Sequence, residues 1–124
     1  MQCTIYALGE KKWRASLDRV LVLARKGEKL ILHRDELNAL WELPEKQLVR
    51  GESHEETARA ALGEALGEAV FDVSLLCVYT ITGEDGKESG GYCCMADVRE
   101  WQDEEASKSR AFERLPLASQ IKNP

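Results

Sequence analysis

The chain has 124 residues, of which 44% are hydrophobic and 31% are charged, and its formal net charge is -5. This length fits one domain with a single core, and we expect that domain to span residues 1–124. The negative net charge argues against binding to a nucleic-acid polymer by bulk electrostatics. No window approaches the roughly 18 consecutive apolar residues of a membrane span. Residues 1–13 lack the basic start and apolar run of a signal peptide, so we expect a cytoplasmic protein with no membrane partner.

The first predicted elements are strands. Residues 19–36, RVLVLARKGEKLILHRDE, contain two runs of Val, Leu and Ile joined by Lys-Gly-Glu. This pattern predicts a β-hairpin with its turn at the glycine. Residues 40–43, LWEL, predict a short strand that Pro44 ends.

A helix is predicted to begin within GESHEE, residues 51–56. Ser53 is a good N-cap residue, and Glu56 three residues later completes a capping box. Gly67 is expected to end the helix. The small and apolar residues that gather on one side of the helical wheel, and so face a core, are Ala58, Leu62, Ala65, Leu66 and Ala69.

The second half of the chain predicts another pair of strands and a second helix. Residues 71–82, FDVSLLCVYTIT, and 92–100, YCCMADVRE, are strand-like and are joined by the polar loop 83–91. Residues 103–115, DEEASKSRAFERL, predict a helix, and residues 115–124 predict a loosely ordered tail. Antiparallel hairpins before and after a central helix predict an α/β fold with a mixed sheet covered by helices.

The four cysteines give no sign of a metal or disulfide framework. No two of them form a CxxC pair, and two are adjacent in the sequence. Their spacing favours reduced thiols that behave as small hydrophobic side chains within strands. They are Cys3, Cys77, Cys93 and Cys94.

The order of elements and the central stretch resemble the Nudix (MutT-like) hydrolase superfamily across nearly the whole chain. The family signature is G-x5-E-x7-R-E-U-x-E-E-x-G-U, where U is a bulky aliphatic residue, and it often lies within WELPGGKVEPGES followed by EEALRRELREELG. Residues 41–67, WELPEKQLVRGESHEETARAALGEALG, align with this pattern without a gap. The resemblance implies a Nudix-type α/β/α sandwich that contains a mixed sheet and the helix of the motif. The matching residues are Trp41, Leu43, Pro44, Gly51, Glu52, Ser53, Glu55, Glu56, Leu62, Glu64, Leu66 and Gly67.

The resemblance also implies a chemistry, the hydrolysis of nucleoside diphosphates linked to another moiety. The family holds Mg²⁺ mainly through the glutamates of the R-E-U-x-E-E segment, since this ion needs hard oxygen ligands. Only Glu64 remains of the three glutamates in that segment. Ala60 occupies the arginine position, and Ala61 and Ala65 occupy the other two glutamate positions. Lys46 occupies the position of the opening glycine, so the motif is degenerate.

The remaining carboxylates leave alternatives for the site. The resemblance assigns candidate catalytic roles to Glu64 and Glu52. Glu68 could share Mg²⁺ or Mn²⁺ with Glu64 at i, i+4 spacing if the helix continued through Gly67. Alternatively, a carboxylate from elsewhere completes the site, or each carboxylate is simply solvated. The candidates for this completing role are Glu45, Glu52, Asp97 and Glu100.

Candidate substrate-binding residues are Arg34, Trp41 and Tyr79. By analogy with the family, Arg34 at the end of the second predicted strand could contact a phosphate. Trp41 and Tyr79 could stack a base or another planar group, as could Tyr92 and Trp101, although aromatic residues commonly pack in cores.

Two functions are therefore predicted. The first is a Nudix-family protein with weak or lost pyrophosphohydrolase activity on a nucleotide-like small molecule. Activity should be low because the motif lacks residues that stabilise the transition state, and acid–base catalysis alone contributes a factor on the order of 10²- to 10⁴-fold to the rate. The alternative is a non-catalytic nucleotide-like ligand-binding or protein-interaction module on the same fold. A homodimer is a further alternative, because the polar loop 83–91 is expected to be exposed and could contact a second copy of the chain. The two functions differ in their need for metal. An enzyme of this class should require Mg²⁺ or Mn²⁺ for turnover, whereas a binding module should bind its ligand with little dependence on either ion.

Overall fold

A computed structural model describes residues 2–6, 16–34, 40–102 and 109–113. Within these residues, one helix packs on a mixed sheet of eight strands, as predicted for an α/β fold. In chain order the elements are β1 Gln2–Tyr6, β2 Leu17–Lys26, β3 Lys29–Arg34, β4 Trp41–Glu42, β5 Glu45–Gln47, α1 His54–Leu66, β6 Ala69–Thr82, β7 Glu88–Trp101 and β8 Ser109–Phe112.

The central pairing of the sheet is parallel. The strand order is β1-β6-β7-β2-β3-β4, with β5 paired to β2 and β8 paired to β3. β2 and β7 run parallel, whereas the other pairs are antiparallel. Parallel neighbours need a long crossover connection. Here that connection runs through β3, β4, β5, α1 and β6, which places the helix over the centre of the sheet.

The predicted first hairpin is confirmed, and one strand near it was not predicted. β2 and β3 pair antiparallel around Gly27, whose φ of 63° is a left-handed value that favours glycine. The short strand predicted around Trp41 is also confirmed as β4. β4 ends at Glu42, before Pro44, and the chain then forms β5 against β2, with Glu45 opposite Leu21. A strand of three residues is too short to show an alternation of polar and apolar residues.

Helix α1 begins and ends where the sequence predicts. The Ser53 side chain accepts a hydrogen bond from the Glu56 backbone N–H at 3.2 Å. Gly67 ends the helix with a φ of 73°, and its N–H donates to the Gly63 carbonyl at 3.0 Å. Within the described ranges no helix is both long enough and apolar enough to cross a membrane.

The core lies between one face of α1 and one face of the sheet. The helix contributes mainly small side chains, so its axis can approach the strands closely. The sheet contributes alternate residues of its central strands, as expected for a strand with one buried face. The buried members of this core are Val20, Val22, Ala24, Ile31, Ala58, Ala61, Leu62, Ala65, Leu66, Cys94, Ala96, Val98 and Trp101. Ala69, predicted to extend the helix face, lies in β6 and is half-buried.

The prediction of a second helix is wrong for the part that the structure describes. Residues 109–112 form β8, which pairs antiparallel with β3. The buried Ser109 hydroxyl donates to the Ala65 carbonyl at 2.8 Å, and the Trp101 indole N–H donates to the Leu66 carbonyl at 2.9 Å. These bonds satisfy carbonyls that have no partner inside a helix. Residues 103–108 and the predicted tail lie outside the described residues.

We predict that Gly91→Ala destabilises the fold. A Cβ at this position of β7 would lie 2.7 Å from the Arg19 carbonyl oxygen and 2.8 Å from the Tyr79 hydroxyl. The carbonyl belongs to the neighbouring strand β2, so it cannot move without disturbing the parallel pairing. The free energy of unfolding, measured in urea, should fall by about 1–3 kcal/mol, as for other overpacked sites.

Gly63→Ala is the matched control for this prediction. Gly63 lies inside α1, and a Cβ there would meet no atom within 4 Å. Alanine has the higher helix propensity, so the free energy of unfolding should rise by roughly 0.5–1 kcal/mol. A neutral Gly91→Ala variant would contradict the close approach of β2, β6 and β7.

Candidate functional site

A tight turn presents the first motif glutamate at the start of α1. Gly51 adopts a φ of 92°, and the Glu52 N–H donates to the Val49 carbonyl at 2.9 Å. The half-buried Glu52 carboxylate lies 3.5 Å from the hydroxyl of Thr57, which is fully buried in α1. Glu52 is therefore held beside the first turn of the helix.

The remaining helix glutamate of the motif forms an ion pair with a lysine. Glu64 lies on α1 and its side chain is 64% exposed, whereas the side chain of Lys46 on β5 is 28% exposed. The Lys46 Nζ atom lies 2.5 Å from Glu64 Oε1. The ammonium thus occupies one side of the only carboxylate that the R-E-U-x-E-E positions retain in this chain.

The two positions where the motif would carry further glutamates face the core. Ala61 and Ala65 are 3% and 5% exposed and belong to the cluster between α1 and the sheet. Ala60, at the arginine position, is half-buried. A carboxylate at Ala61 or Ala65 would lie in apolar surroundings, which is costly for a charge without a partner.

The condition for a Glu64–Glu68 pair is not met. α1 ends at Leu66, and the left-handed turn at Gly67 takes the chain out of the helix before Glu68. The Glu68 carbonyl then accepts a hydrogen bond from the Gln102 N–H at 3.0 Å. The i, i+4 spacing therefore does not place these two glutamates on one helical face.

The structure does not bring the other candidate carboxylates to Glu64. Glu45 pairs with Arg19 at 3.0 Å, on the face of the sheet opposite α1. Asp97 alternates with buried residues of β7 and therefore projects from that same far face. It pairs with Arg25 at 2.5 Å, and this hydrogen bond and its charge raise the pKa of Arg25. Glu100 is exposed near the end of β7.

The residues present do not fit the Mg²⁺ or Mn²⁺ site that the resemblance implies. Mg²⁺ takes six oxygen ligands in near-octahedral geometry and is usually held by one or two carboxylates together with water and phosphate. Across residues 2–6, 16–34, 40–102 and 109–113, no group of three or more His, Cys, Asp or Glu side chains could hold a metal ion. Glu64, the one glutamate retained at the R-E-U-x-E-E positions, is already paired with Lys46.

Two of the three predicted ligand-binding residues lie together. Arg34 and Trp41 are cross-strand partners on β3 and β4, and the guanidinium carbon lies 5.7 Å from the Trp41 ring centroid. Phe112 of β8 meets the Trp41 ring edge-on, with centroids 4.9 Å apart. The result is an exposed guanidinium over a half-buried indole, which we call the Arg34–Trp41 stack.

Tyr79 is separate from this stack. It lies on β6, which pairs with β1 and β7, whereas Trp41 lies on β4, which pairs with β3. Burial, with a smaller contribution from Glu45, raises the pKa of Tyr79 to about 12. Its ring covers Gly91 on the sheet face opposite α1. The other aromatic candidates pack within the fold: Tyr92 stacks on His54, and Trp101 is in the core.

Lys46 is the site residue whose role the sequence did not reveal. The sequence showed that a lysine replaces the opening glycine of the motif. The direction of the Lys46 side chain depends on β5. There Lys46 pairs with the buried Val20 and so projects toward α1. Had β5 been predicted, strand alternation would have placed Lys46 and Glu45 on opposite faces.

Comparison with solved structures identifies the fold. No family model matches the sequence, and no curated protein does so either. A variant of the pyrophosphohydrolase RppH from Bacillus subtilis is 23% identical, with a TM-score of 0.74 over 94% of this chain and 74% of that one. A Nudix hydrolase from Nitrosomonas europaea is 16% identical, with a TM-score of 0.62 over 85% of each chain. The Nudix domain of Shewanella oneidensis NrtR, complexed with ADP-ribose, is 21% identical, with a TM-score of 0.58 over 86% of this chain and 77% of that one. The chain therefore has the fold of the Nudix superfamily.

Proposed function

We propose that this chain is a ligand-binding Nudix domain that recognises a nucleotide-like diphosphate and has weak or no metal-dependent hydrolase activity. The observation that carries the proposal is the Lys46–Glu64 ion pair, in which an ammonium takes the place beside the carboxylate that a metal ion would need. The buried alanines at positions 61 and 65 support the same conclusion, because they supply no further oxygen ligands.

The chemistry of hydrolysis explains why these changes matter. In this class of reaction the metal ion polarises the phosphoryl oxygens and lowers the pKa of the attacking water. The Glu64 carboxylate would have to exchange its lysine partner for a divalent cation. A cation held by a single carboxylate keeps most of its water ligands, so it is bound weakly. Since Glu64 is paired with Lys46 and the described residues include no group of three or more metal-ligating side chains, turnover should be slow or absent.

Ligand binding needs much less than hydrolysis. The Arg34 guanidinium is exposed and held over the Trp41 ring, so it is preorganised and keeps its donors available for a phosphate. An aromatic and cationic pair of this kind suits a ligand with both a planar and an anionic group. The NrtR Nudix domain, which is similar in fold, is complexed with ADP-ribose, so we select ADP-ribose as the first probe. Cytoplasmic residence and homodimer formation stay predictions.

We predict no metal-dependent turnover above that of Glu64→Gln. The assay measures release of phosphate and mononucleotide from nucleoside triphosphates and nucleoside diphosphate conjugates, with Mg²⁺ and with Mn²⁺. The expected reason is that Glu64 already has Lys46 as a cationic partner. Turnover in the wild type that disappears in Glu64→Gln would reject the binding-module proposal and would show that the degenerate motif still works.

We predict that ADP-ribose binds in the presence of EDTA and that Arg34→Gln weakens this binding about tenfold. Losing one charge-assisted contact, about 1.5 kcal/mol, corresponds to that factor. Isothermal titration calorimetry gives the dissociation constant with and without Mg²⁺.

Arg59→Gln is the matched control, because Arg59 also stacks on an aromatic ring, at 5.6 Å from the Phe71 centroid, but on α1. Its affinity should equal that of the wild type. Equal losses in both variants would mean that the Arg34–Trp41 stack is not the binding surface.

A further inference from the structure

Two cysteines face each other at the centre of the long hairpin. Cys77 of β6 and Cys93 of β7 are direct partners in the antiparallel register, immediately after the irregularity at Leu76. As direct cross-strand partners, both side chains project from the same face of the sheet. All four cysteines are free thiols in this structure. Cys94 is the next residue, but it projects to the other face of the sheet and is buried under α1.

We propose that Cys77 and Cys93 form a reversible disulfide, which makes this pair a redox modification site on the sheet face opposite α1. Directly opposed residues in an antiparallel pair have Cα atoms about 4.5–5.5 Å apart. Disulfides join residues whose Cα atoms are about 4.4–6.8 Å apart. The main chain is therefore already within range, and closure requires chiefly rotation of the two side chains.

The two thiols differ in access, and this sets the order of events. Cys77 is half-buried, whereas Cys93 is buried. Burial raises the pKa of the Cys93 thiol, and the neighbouring Cys77 raises it further. Since the thiolate is the nucleophile in disulfide exchange, Cys77 reacts first and Cys93 acts second.

The oxidant we assign is a small-molecule disulfide such as oxidised glutathione. The Cys77 thiol loses its proton and its sulfur attacks one sulfur of that disulfide, which forms a mixed disulfide and releases one thiolate that takes up a proton. Cys93 then loses its proton and attacks the Cys77 sulfur, which expels the second thiolate, and this also takes up a proton. The two protein thiols together lose two electrons and two protons, and one small-molecule disulfide becomes two thiols.

The position of the link gives it a consequence for the sheet. β6 and β7 each have 14 residues, and the Cys77–Cys93 pair lies next to the register shift in their ladder. Tyr79 lies two residues beyond Cys77 on the same face. The Cys93 thiol is one of the smaller causes of the raised pKa of Tyr79. The disulfide would fix the register at this point and remove a titratable thiol from beside Tyr79.

The test uses the native full chain treated with oxidised glutathione, followed by alkylation of remaining thiols and mass spectrometry. We expect a species lighter by two hydrogen atoms before alkylation and a linked peptide pair that joins Cys77 to Cys93. Fragmentation between Cys93 and Cys94 identifies the linked residue. Reduction with dithiothreitol should restore all four thiols.

Variants make the outcome decisive. Cys3→Ser removes an exposed thiol of β1 and should leave the link intact, whereas Cys77→Ser and Cys93→Ser should each abolish it. Three results on the wild type would overturn the proposal even if a variant failed to fold. They are glutathione adducts without any linked peptide, a link through Cys94, and a link that forms only in urea.

Discussion

The packing of alanines on α1 against the parallel β2–β7 pair is the constraint on which the rest of the structure depends. Ala58, Ala61 and Ala65 are all buried there, so the helix lies close to the sheet. That approach brings the Ala65 carbonyl within 2.8 Å of the Ser109 hydroxyl and so connects the helix to β8. Ala61 and Ala65 also occupy positions where the family motif carries glutamates. Two side chains that pack the core therefore stand where the family motif would have carboxylates.

The Lys46–Glu64 ion pair completes this change in local charge. Since both side chains are partly exposed, the pair contributes at most about 1 kcal/mol to stability. Its other effect is electrostatic, because the ammonium of Lys46 offsets the negative charge of Glu64. Lys46 is directed toward α1 because β5 pairs with β2 in a register that places Val20 and Lys46 on the same face. The pairing of the three-residue strand β5 thus places the positive charge of Lys46 beside Glu64.

Local signals in the sequence predicted the elements whose ends are determined locally. The hairpin at Gly27, the cap at Ser53 and the helix end at Gly67 each depend on a few consecutive residues, and all three are confirmed. Residues 109–112 carry a pattern compatible with a helix, yet they form β8 because pairing with the distant β3 overrides local preference. The ion-pair partner of Glu64 could not be predicted from local sequence for the same reason. Its identity depends on which face of β5 a lysine occupies, and only the sheet register determines that.

The arrangement of the two sheet faces supports binding without turnover. Glu64 and Lys46 lie on the face covered by α1, whereas register and alternation place the Arg34–Trp41 stack on the opposite face. A ligand stacked on Trp41 would therefore lie on the other side of the sheet from Glu64. An enzyme needs the reacting phosphate beside its catalytic groups to within a few tenths of an ångström, because small displacements cost large factors in rate. A binding domain needs only the exposed stack. Under the proposed function, the Arg34–Trp41 stack would serve binding, while Ala61 and Ala65 serve the core.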